Sequence, residues 1–401
     1  MKVLIAIDNL DSATGNCIKA VANELTKLGN EVLLLTEKCN NNDVVFCKVE
    51  ILPTSFGFFK WRKFEYVFKK IKVFLYCVIW PFSSITKPLR LYKKAKQLVL
   101  SQKFDIIVAS YNGIDDLYVG HKLKNEFNNL LYIPYFLDAC YAGQCPRILP
   151  MWLKDKMALF WEHHYLKNAD GIVMMEAAKT KYLMNKDKIG YFDKITFLDL
   201  PLYQPQNSNK SNNRRHFPKE QRVVFYAGSM PRNIRPPHFI LDLFSKFGKE
   251  DLHLYIAGTT EYKTIIDKVC LTNSNIHFLG ALPYNQVKEM MSEADFLLNI
   301  GNNLSNMVPS KIFEYMSFGK PIISTYRIDN DPTLTYLYKY KDALLLDERL
   351  NLKSGIHKLK DFIFESSHEL FHPEDQFVNN RPETMVKYLA DFYNLHNFDK
   401  D

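Results

Sequence analysis

The sequence predicts an α/β protein made of two domains, each with a parallel β-sheet. Three observations support this: short apolar runs of strand length recur along the chain, amphipathic helical stretches separate them, and one polar segment interrupts the alternation near the middle. A chain of 401 residues is long enough for two domains, since an ordinary domain has roughly 100 to 200 residues. A composition with 47% hydrophobic and 24% charged residues is typical of a globular protein.

The first forty residues predict a βαβ unit. A strand is expected over 2–7, a turn over 8–16, an amphipathic helix over 18–28 that ends at Gly29, and a second strand over 31–37. Further apolar strands are predicted in DIIVAS, LLYIPYF and GIVMME. Continuous apolar strands of this kind are typical of a parallel sheet that helices cover on both faces.

A polar segment, residues 204–221, predicts a linker because it contains almost no apolar side chain. The alternation then resumes, with strands expected in RVVFYAGS, LHLYIAG, IHFLGAL, DFLLNIG, KPIIS and DALLLD. The predicted domains are therefore 1–203 and 222–378. A final amphipathic helix within 379–401 is expected to return to the first domain.

The cysteines and apolar runs indicate the compartment. The seven cysteines are odd in number and contain no CxxC pair, as expected of reduced thiols in the cytosol. The N-terminus resembles a first core strand rather than a secretory signal, and no apolar run reaches the roughly 18 residues of a spanning helix. We therefore expect a cytoplasmic protein, soluble or peripheral to the membrane.

The stretch SNMVPSKIFEYMSFGKPIIS, residues 305–324, is the first candidate site. Pro309 is expected as the first residue of a short helix that follows a strand, so free amides and the positive end of the helix dipole would face a ligand. Ser310 and Lys311 add polar groups there, and Glu314 lies about one turn further along. This spacing fits a nucleotide diphosphate with its ribose. The alternative is that Glu314 only complements the helix dipole while Lys311 is solvated.

The turn YAGSMPRNIRPP is the second candidate site, because it follows the first strand of the second domain. Gly228 and Ser229 would let the backbone approach a ligand closely, and Arg232 and Arg235 could clamp phosphate oxygens. The alternative is a polar surface loop with two solvated arginines.

Metal chemistry is not required by these candidates. The DND triplet at 329–331 precedes a proline and is better interpreted as a turn than as a metal site. His163 and His164 lie in a predicted helix without a partner at metal-ligand spacing, so a structural role is expected. Basic side chains and helix amides would be sufficient to stabilise a leaving diphosphate, and we expect no cofactor.

The order and spacing of VVFYAGS…R, LHLYIAG, IHFLGALPYNQVKEMMSEADFLLNI and VPSKIFEYMSFGKPIIS resemble the nucleotide-sugar-binding half of GT-B glycosyltransferases, closest to family 4, also called group 1. MKVLIAID…TGNCIKAVANELTKLGNEVLLLT and ADGIVMMEAAKTKYL are similar to the family's first half, so the resemblance covers almost the whole chain. It implies two Rossmann-like domains whose parallel sheets face each other across a cleft, and a nucleotide-sugar donor.

The resemblance also implies residue roles in the second domain. Glu314 matches the family glutamate that binds the ribose hydroxyls, and the amides around Pro309 to Lys311 match its diphosphate cradle, with Val308 beside them as a further donor-binding residue. Arg232 or Arg235 matches the basic residue that neutralises the leaving diphosphate. The family usually has a second glutamate where this chain has Asn306, so the family's hydroxyl preferences and its retaining mechanism cannot be copied directly.

In the first domain the resemblance points to the acceptor. The turn from Asp8 to Asn16, with Thr14 and Gly15, resembles the family's glycine-containing loop, and Asp138 matches an acidic position after a strand. Asp8, Asp11 or Asp138 could orient or deprotonate an acceptor hydroxyl. The alternative is that these carboxylates cap helices and turns.

The net charge of +8 is concentrated in one segment, because residues 60–103 carry twelve Lys or Arg and one Glu, or +11, and the rest of the chain sums to −3. With its aromatic residues, the segment 55–103 predicts helices that lie on an anionic membrane surface. The alternative is a helical hairpin with lysines facing water. No nucleic-acid-binding module surrounds the segment, so nucleic acid is not an expected partner.

These expectations combine into one reading with two rivals. The chain is expected to be a glycosyltransferase, retaining by resemblance, at the inner face of the cell membrane. It would move a sugar from a nucleotide diphosphate to a lipid-linked or glycan acceptor in cell-surface polysaccharide or glycolipid biosynthesis. The rivals are a non-catalytic GT-B subunit that binds a partner transferase or lipid, and a sugar-nucleotide epimerase of the same fold.

Overall fold

The computed structural model describes residues 1–39, 45–52, 82, 86–111, 113–137, 150–206, 215–247, 252–304, 308–368 and 376–398. The chain forms two compact units. The first comprises Met1–Leu202 with Asn379–Asp401, and the second comprises Tyr203–Val378.

The first unit is built on a seven-stranded parallel sheet. Its strands are β1 (Lys2–Ala6), β2 (Glu31–Thr36), β3 (Lys48–Ile51), β4 (Ile106–Tyr111), β5 (Leu131–Phe136), β6 (Ile172–Met175) and β7 (Ile195–Leu198). They are arranged in the order β3-β2-β1-β4-β5-β6-β7. The central strands are buried on both faces, as their continuous apolar sequences predict. The edge strands β3 and β7 were missed because their side chains are half-exposed and form no such run.

Helices cover this sheet. They are α1 (Ala13–Lys27), α2 (Lys87–Ser101), α3 (Ile114–Glu126), α4 (Met151–Leu166) and α5 (Lys179–Met184). Most of the apolar core lies between these helices and the central strands, and Tyr132 packs against Gly120, where an added Cβ would lie 2.1 Å from its ring.

The second unit has a six-stranded parallel sheet. Its strands are β8 (Arg222–Ala227), β9 (Leu252–Ala257), β10 (Ile276–Gly280), β11 (Phe296–Ile300), β12 (Ile322–Tyr326) and β13 (Ala343–Asp347), in the order β10-β9-β8-β11-β12-β13. Its helices are α6 (His238–Phe247), α7 (Lys263–Thr272), α8 (Tyr284–Glu293), α9 (Lys311–Ser317), α10 (Thr333–Leu337) and α11 (Leu352–Lys360). The six strands were all predicted from the apolar runs of the sequence.

The last helix, α12 (Pro382–Phe398), belongs to the first unit and packs against α1. Its Tyr388 and Phe392 lie over Gly171, where an added Cβ would come within 2.5 Å of the Tyr388 hydroxyl. Of the helices in the described ranges, none is long and apolar enough to cross a membrane.

One local prediction is wrong. The turn expected over 8–16 is shorter, because α1 begins at Ala13 and contains Thr14, Gly15 and Asn16 in its first turn. Ser12 caps the helix by accepting a hydrogen bond from the Gly15 amide at 3.0 Å. Gly15 is required for packing, since an added Cβ would lie 2.3 Å from the carbonyl oxygen of Leu10. Thr14, Gly15 and Asn16 therefore lie in a helix rather than in a loop, and their acceptor-side role stays a prediction.

Candidate functional site

The candidate site lies at the carboxyl ends of β8 and β11. These two parallel strands are neighbours in the sheet, and the connections leave them in opposite directions: β9 and β10 follow on one side, β12 and β13 on the other. Such a switch in strand order is where open parallel sheets bind ligands. The turn after β8 carries both candidate arginines, and the loop after β11 leads to α9.

A tyrosine joins α9 to β8. The buried hydroxyl of Tyr315 donates a hydrogen bond to the carbonyl oxygen of Ala227 at 3.0 Å and accepts one from the Ala227 amide at 2.9 Å. Burial raises the pKa of this phenol, so it stays protonated and able to donate. These two bonds fix α9, the helix that carries Glu314, against Ala227, which precedes Gly228.

Glu314 lies in a polar cluster with two neighbours. Its Oε1 accepts a hydrogen bond from the Tyr284 hydroxyl at 2.9 Å, and its Oε2 pairs with the Lys311 ammonium. The Lys311 Nζ also lies 5.3 Å from the centroid of the Tyr284 ring, which is within cation–π distance. The side chains of Lys311 and Glu314 are 25% and 19% exposed, so Lys311 is not simply solvated. Burial, and then the Glu314 carboxylate, raise the pKa of Tyr284.

The helix begins later than predicted. The first helical residue of α9 is Lys311 rather than Pro309, and Ser310 is at the cap position, where its side chain makes no capping hydrogen bond. The reason is that the carbonyl oxygen of Pro309 accepts from the Ile312 amide at 3.1 Å, so a tight turn precedes the helix. The predicted end of the helix at Gly319 is confirmed. Gly319 has φ 65°, and its amide donates a hydrogen bond to the carbonyl oxygen of Met316 at 3.0 Å.

The turn after β8 is held by two glycines. The Gly228 amide donates to the carbonyl oxygen of Ala257 at 3.0 Å. Gly258 has φ 139°, and an added Cβ there would lie 1.8 Å from the carbonyl oxygen of Gly228. The next carbonyl, that of Ser229, accepts from the Tyr226 hydroxyl at 3.0 Å. The glycines thus allow two adjacent strand ends to meet at closer range than any side chain permits.

The two arginines have different surroundings. The Arg235 Nε donates to Asn302 Oδ1 at 2.6 Å, and its Nη1 lies 3.4 Å from the Ser229 carbonyl oxygen. Because Asn302 is fully buried in the loop after β11, this contact connects the turn after β8 to the approach to α9. Arg232 is exposed, and its amide donates to a Glu261 carboxylate oxygen at 2.5 Å.

One acidic candidate of the first unit, Asp8, is held in an ionic cluster. The Asp8 carboxylate lies 2.6 Å from the Lys87 ammonium, which is also 3.6 Å from Asp115 and 4.0 Å from Glu37. Asp116 is fully buried beside them, and burial, with the Asp8 charge second, raises the pKa of its carboxyl group well above the usual range. Asp11, by contrast, donates its amide to the Asn9 side chain in a local turn.

Several predicted residues lie outside the described ranges. They are Asp138, Asn306 and most of the basic segment, 55–81 with 83–85. The described end of that segment forms α2, and its cations bond acidic side chains of the same unit: Arg90 contacts Glu37, Lys94 contacts Glu50 and Lys96 contacts Glu126, each at 2.6 Å. These pairs reduce the net positive charge that α2 presents.

The other candidates occupy local structure. The 329–331 triplet forms a turn, as predicted: Asp331 is buried and accepts from the Thr333 amide at 2.9 Å, and Asp329 pairs with Arg349 at 2.6 Å. The ring of His163 lies 6.2 Å from that of Tyr191, and His164 packs against His121 with ring centroids 5.2 Å apart. His164 thus belongs to the packing of α4, whereas His163 is exposed.

Sequence reasoning missed three residues of the site, Tyr284, Tyr315 and Asn302. Tyr284 is the first residue of α8 and gives no periodic signal, although a tyrosine at a helix start beside a strand end is suited to contact a ligand. Tyr315 resembles an ordinary core aromatic. Asn302 lies in the polar stretch GNNLSN, where no spacing distinguishes it from its neighbours.

Residues 221–345 match a protein-family model described as glycosyl transferases group 1. This range contains the second unit from β8 to most of β13, including all the donor-side candidates. No curated protein sequence matches the chain.

Solved structures share the fold over nearly all of the chain. Sucrose-phosphate synthase from Thermosynechococcus elongatus has a TM-score of 0.67 and 12% sequence identity, with 100% of each chain covered. HepE from Anabaena, solved with UDP, has a TM-score of 0.64 and 12% identity, with 98% of this chain and 99% of that chain covered. A putative UDP-N-acetylglucosamine 2-epimerase from Listeria monocytogenes has a TM-score of 0.59 and 11% identity, covering 97% of this chain and 96% of that one. These likenesses establish the GT-B fold.

Proposed function

We propose that this chain, in which residues 221–345 form a group 1 glycosyltransferase domain, moves a sugar from a nucleotide diphosphate to an acceptor hydroxyl. The carrying observation is that Glu314, Lys311 and Tyr284 form one polar cluster at the switch in strand order. Bonds of Tyr315 to Ala227 and of Arg235 to Asn302 connect α9 and the loop before it to the end of β8 and the turn after it. HepE, of the same fold, was solved with UDP, which supports a nucleotide as the kind of ligand proposed here.

The arrangement of Glu314 suits a ribose. An ionised carboxylate has about four acceptor positions on its two oxygens, and Tyr284 and Lys311 each take one. The remaining positions can accept two adjacent ribose hydroxyls. Tyr284 and Lys311 keep the carboxylate in one orientation, which lowers the entropy that binding would otherwise cost.

The transfer itself needs stabilisation of a leaving diphosphate. The bond between the sugar C1 and the diphosphate oxygen breaks, a bond from the acceptor oxygen to C1 forms, and the acceptor proton leaves to a base or to the diphosphate. Arg235 is held beside the loop that leads to α9 by its bond to Asn302, and its guanidinium suits the developing negative charge. Retention of configuration is part of the proposal by resemblance alone.

We further propose that the acceptor is lipid-linked, as in cell-surface polysaccharide or glycolipid biosynthesis, and that the protein binds the inner face of the membrane peripherally. The support is the charge of +11 over residues 60–103 together with their aromatic content. Liposome flotation tests this: recovery should rise with anionic lipid and fall with salt. Equal recovery with neutral and anionic vesicles would contradict it.

Activity is tested with a panel of UDP-, GDP- and TDP-sugars, with and without lipid extract, by following nucleotide release. Release that requires lipid extract supports the transferase. Interconversion of sugars without an acceptor would favour an epimerase, the activity in the description of the Listeria protein, a putative UDP-N-acetylglucosamine 2-epimerase. Binding without turnover would favour a non-catalytic subunit.

The ribose assignment is tested by Glu314→Gln and Glu314→Ala, with the exposed Glu220→Gln as the control. Loss of hydrogen bonds to a charged acceptor costs about 1.5 to 3 kcal/mol, so nucleotide affinity should fall by about tenfold or more. Calorimetry with UDP, GDP and TDP measures it. Unchanged affinity in both Glu314 variants would exclude the assignment.

A further inference from the structure

A polar cavity lies in the second unit. Its volume is about 550 Å³, within the usual range for small-molecule sites, roughly 300 to 1,000 Å³. Its walls come from the turn after β8, the starts of α6 and α7, the loop after β11 and the residue after β12. We call it the arginine pocket; the residues that define it are Arg232, Asn233, His238, Glu261, Tyr262 and Arg327.

The arginine pocket is separate from the donor site. Among the described residues, its lining does not include Gly228, Tyr284, Lys311 or Glu314. Arg235, three residues before α6 begins, bonds Asn302, whereas Arg232 lines the pocket. The turn after β8 therefore supplies one arginine to each of two places.

The charged groups of the pocket favour an anion. Arg327 bonds the nearly buried Glu348 through its Nε, and its two Nη nitrogens carry four further N–H groups. Arg232 adds a second guanidinium, and Glu261 is the carboxylate among the described lining residues. Because Glu348 balances Arg327, the charges of Arg232, Arg327, Glu261 and Glu348 sum to zero, and the preference for an anion rests on the guanidinium N–H groups. Planar guanidinium groups suit carboxylate and phosphate oxygens.

The uncharged groups favour a sugar. Asn233, Asn303 and Thr264 offer amide and hydroxyl groups to ligand hydroxyls, while Tyr262, Pro236 and Ile265 provide apolar surface for the face of a ring. A neutral sugar would leave the arginines unused, and a bare phosphate would leave the apolar wall unused.

The pocket is preformed. Asn233 has φ 65°, and its amide donates to the Tyr262 hydroxyl at 3.0 Å while its carbonyl oxygen accepts from the Asn303 side chain at 2.9 Å. The Asn303 amide also donates to the Ile234 carbonyl oxygen at 3.0 Å. These bonds hold the turn after β8, α7 and the loop after β11 in one arrangement, which reduces the ordering cost of binding.

We propose that the arginine pocket is a binding site for a saccharide that carries one anionic group, a carboxylate or a phosphate. The guanidinium groups of Arg232 and Arg327 bind the anionic group, and Glu261 with the asparagines binds hydroxyls. This site is separate from the donor site, so the test of this proposal does not depend on the outcome for the proposed transfer.

The experiment is calorimetry on the full-length protein with glucuronic acid, glucose 6-phosphate, glucose and inorganic phosphate, each with and without saturating UDP. We expect saturable binding of an anionic sugar, at least about tenfold tighter than glucose or inorganic phosphate, and unaffected by UDP. Binding of glucuronic acid would identify the anionic group as a carboxylate, and binding of glucose 6-phosphate would identify it as a phosphate. Equal binding of free phosphate, competition by UDP, or no binding of either anionic sugar would overturn the proposal.

Variants sharpen the test. Arg232→Ala should lower the affinity for the anionic sugar by about tenfold and leave the affinity for UDP unchanged. The control, Arg349→Ala, removes an exposed arginine outside the pocket lining and should change neither affinity. Weaker UDP binding by Arg232→Ala would assign Arg232 to the donor diphosphate instead, and loss of anionic-sugar binding in Arg349→Ala would also contradict the pocket.

Discussion

The Tyr315 hydroxyl bonds both the amide and the carbonyl group of Ala227, at 2.9 and 3.0 Å. One side chain thus completes the hydrogen bonding at the end of β8 and fixes α9 against it. Because Glu314 precedes Tyr315, the position of the proposed ribose-binding carboxylate depends on this contact. The proposed donor site depends on a buried phenol as well as on the charged groups around it.

Tyr315→Phe should therefore affect stability and nucleotide binding together. It leaves two buried backbone groups without the phenol, so we expect the second unit to lose about 1 to 3 kcal/mol of unfolding free energy. Nucleotide affinity should fall several-fold because Glu314 is no longer fixed. Thermal unfolding and calorimetry measure the two effects. Tyr255→Phe, which removes a hydroxyl bond to Gln221, is the control and should leave nucleotide affinity unchanged.

Gly258→Ala tests the closeness of the two strand ends. An alanine there would combine φ 139° with a Cβ 1.8 Å from the Gly228 carbonyl oxygen, so the turn after β8 must move. We expect a loss of about 3 kcal/mol or more, and weaker nucleotide binding in any protein that folds. Gly113→Ala is the control, since its added Cβ meets nothing within 4 Å. Equal melting temperatures for the two variants would contradict this account.

The fold was predictable because parallel strands buried on both faces have continuous apolar sequences. The sequences of β8, β9 and β11 show this, and the candidate site lies at the carboxyl ends of β8 and β11. Strands β3 and β7 escaped prediction because edge strands bury one face less completely. The start of α1 was placed too late because Gly15 and Asn16 weaken a helical pattern, whereas Ser12 caps the helix before them.

The site was predictable only in part. Glu314 and Lys311 are three residues apart, so their pairing follows from helix geometry. The contacts of Tyr284 with Glu314 and of Arg235 with Asn302 join residues 30 and 67 positions apart, and no local spacing encodes them. Likewise, Lys87 meets Asp8 and Asp115 only through the order of strands β1 and β4.

The ionic cluster around Lys87 predicts opposite effects for two adjacent carboxylates. The Asp116 carboxyl group is fully buried and its pKa is raised, so it ionises less readily in the folded than in the unfolded protein. Unfolding therefore becomes more favourable as pH rises above about 4, where the unfolded chain loses this proton. Asp116→Asn imitates the protonated group and should gain about 1 to 2 kcal/mol near pH 8, with little gain near pH 4. Asp115→Asn should instead lower stability, since Lys87 loses a partner 3.6 Å away.

Melting temperatures of both variants between pH 4 and pH 8 provide the measurement. The difference between Asp116→Asn and the unmodified protein should grow with pH and then level off. A gain that is constant over the range would show that packing rather than ionisation is responsible. Stabilisation by Asp115→Asn would contradict the assignment of Lys87 to that carboxylate.

A pair of histidines on β9 and β10 predicts sensitivity to acid. His253 Nδ1 and His277 Nε2 are 3.0 Å apart, so one ring must be neutral to accept the proton of the other. Burial, and then the neighbouring His253, lower the pKa of His277, whose ring also stacks on Tyr255 with centroids 4.3 Å apart. A lowered pKa in the folded state means that the stabilising contribution is present above about pH 6.5 and is lost as pH falls below it.

His277→Gln should therefore make the decrease in melting temperature between pH 7.5 and pH 5 shallower, by a small amount because the ring is only half-buried. The exposed His163→Gln is the matched control and should follow the unmodified protein. Parallel pH profiles for His277→Gln and the unmodified protein would show that the pair does not contribute to acid sensitivity.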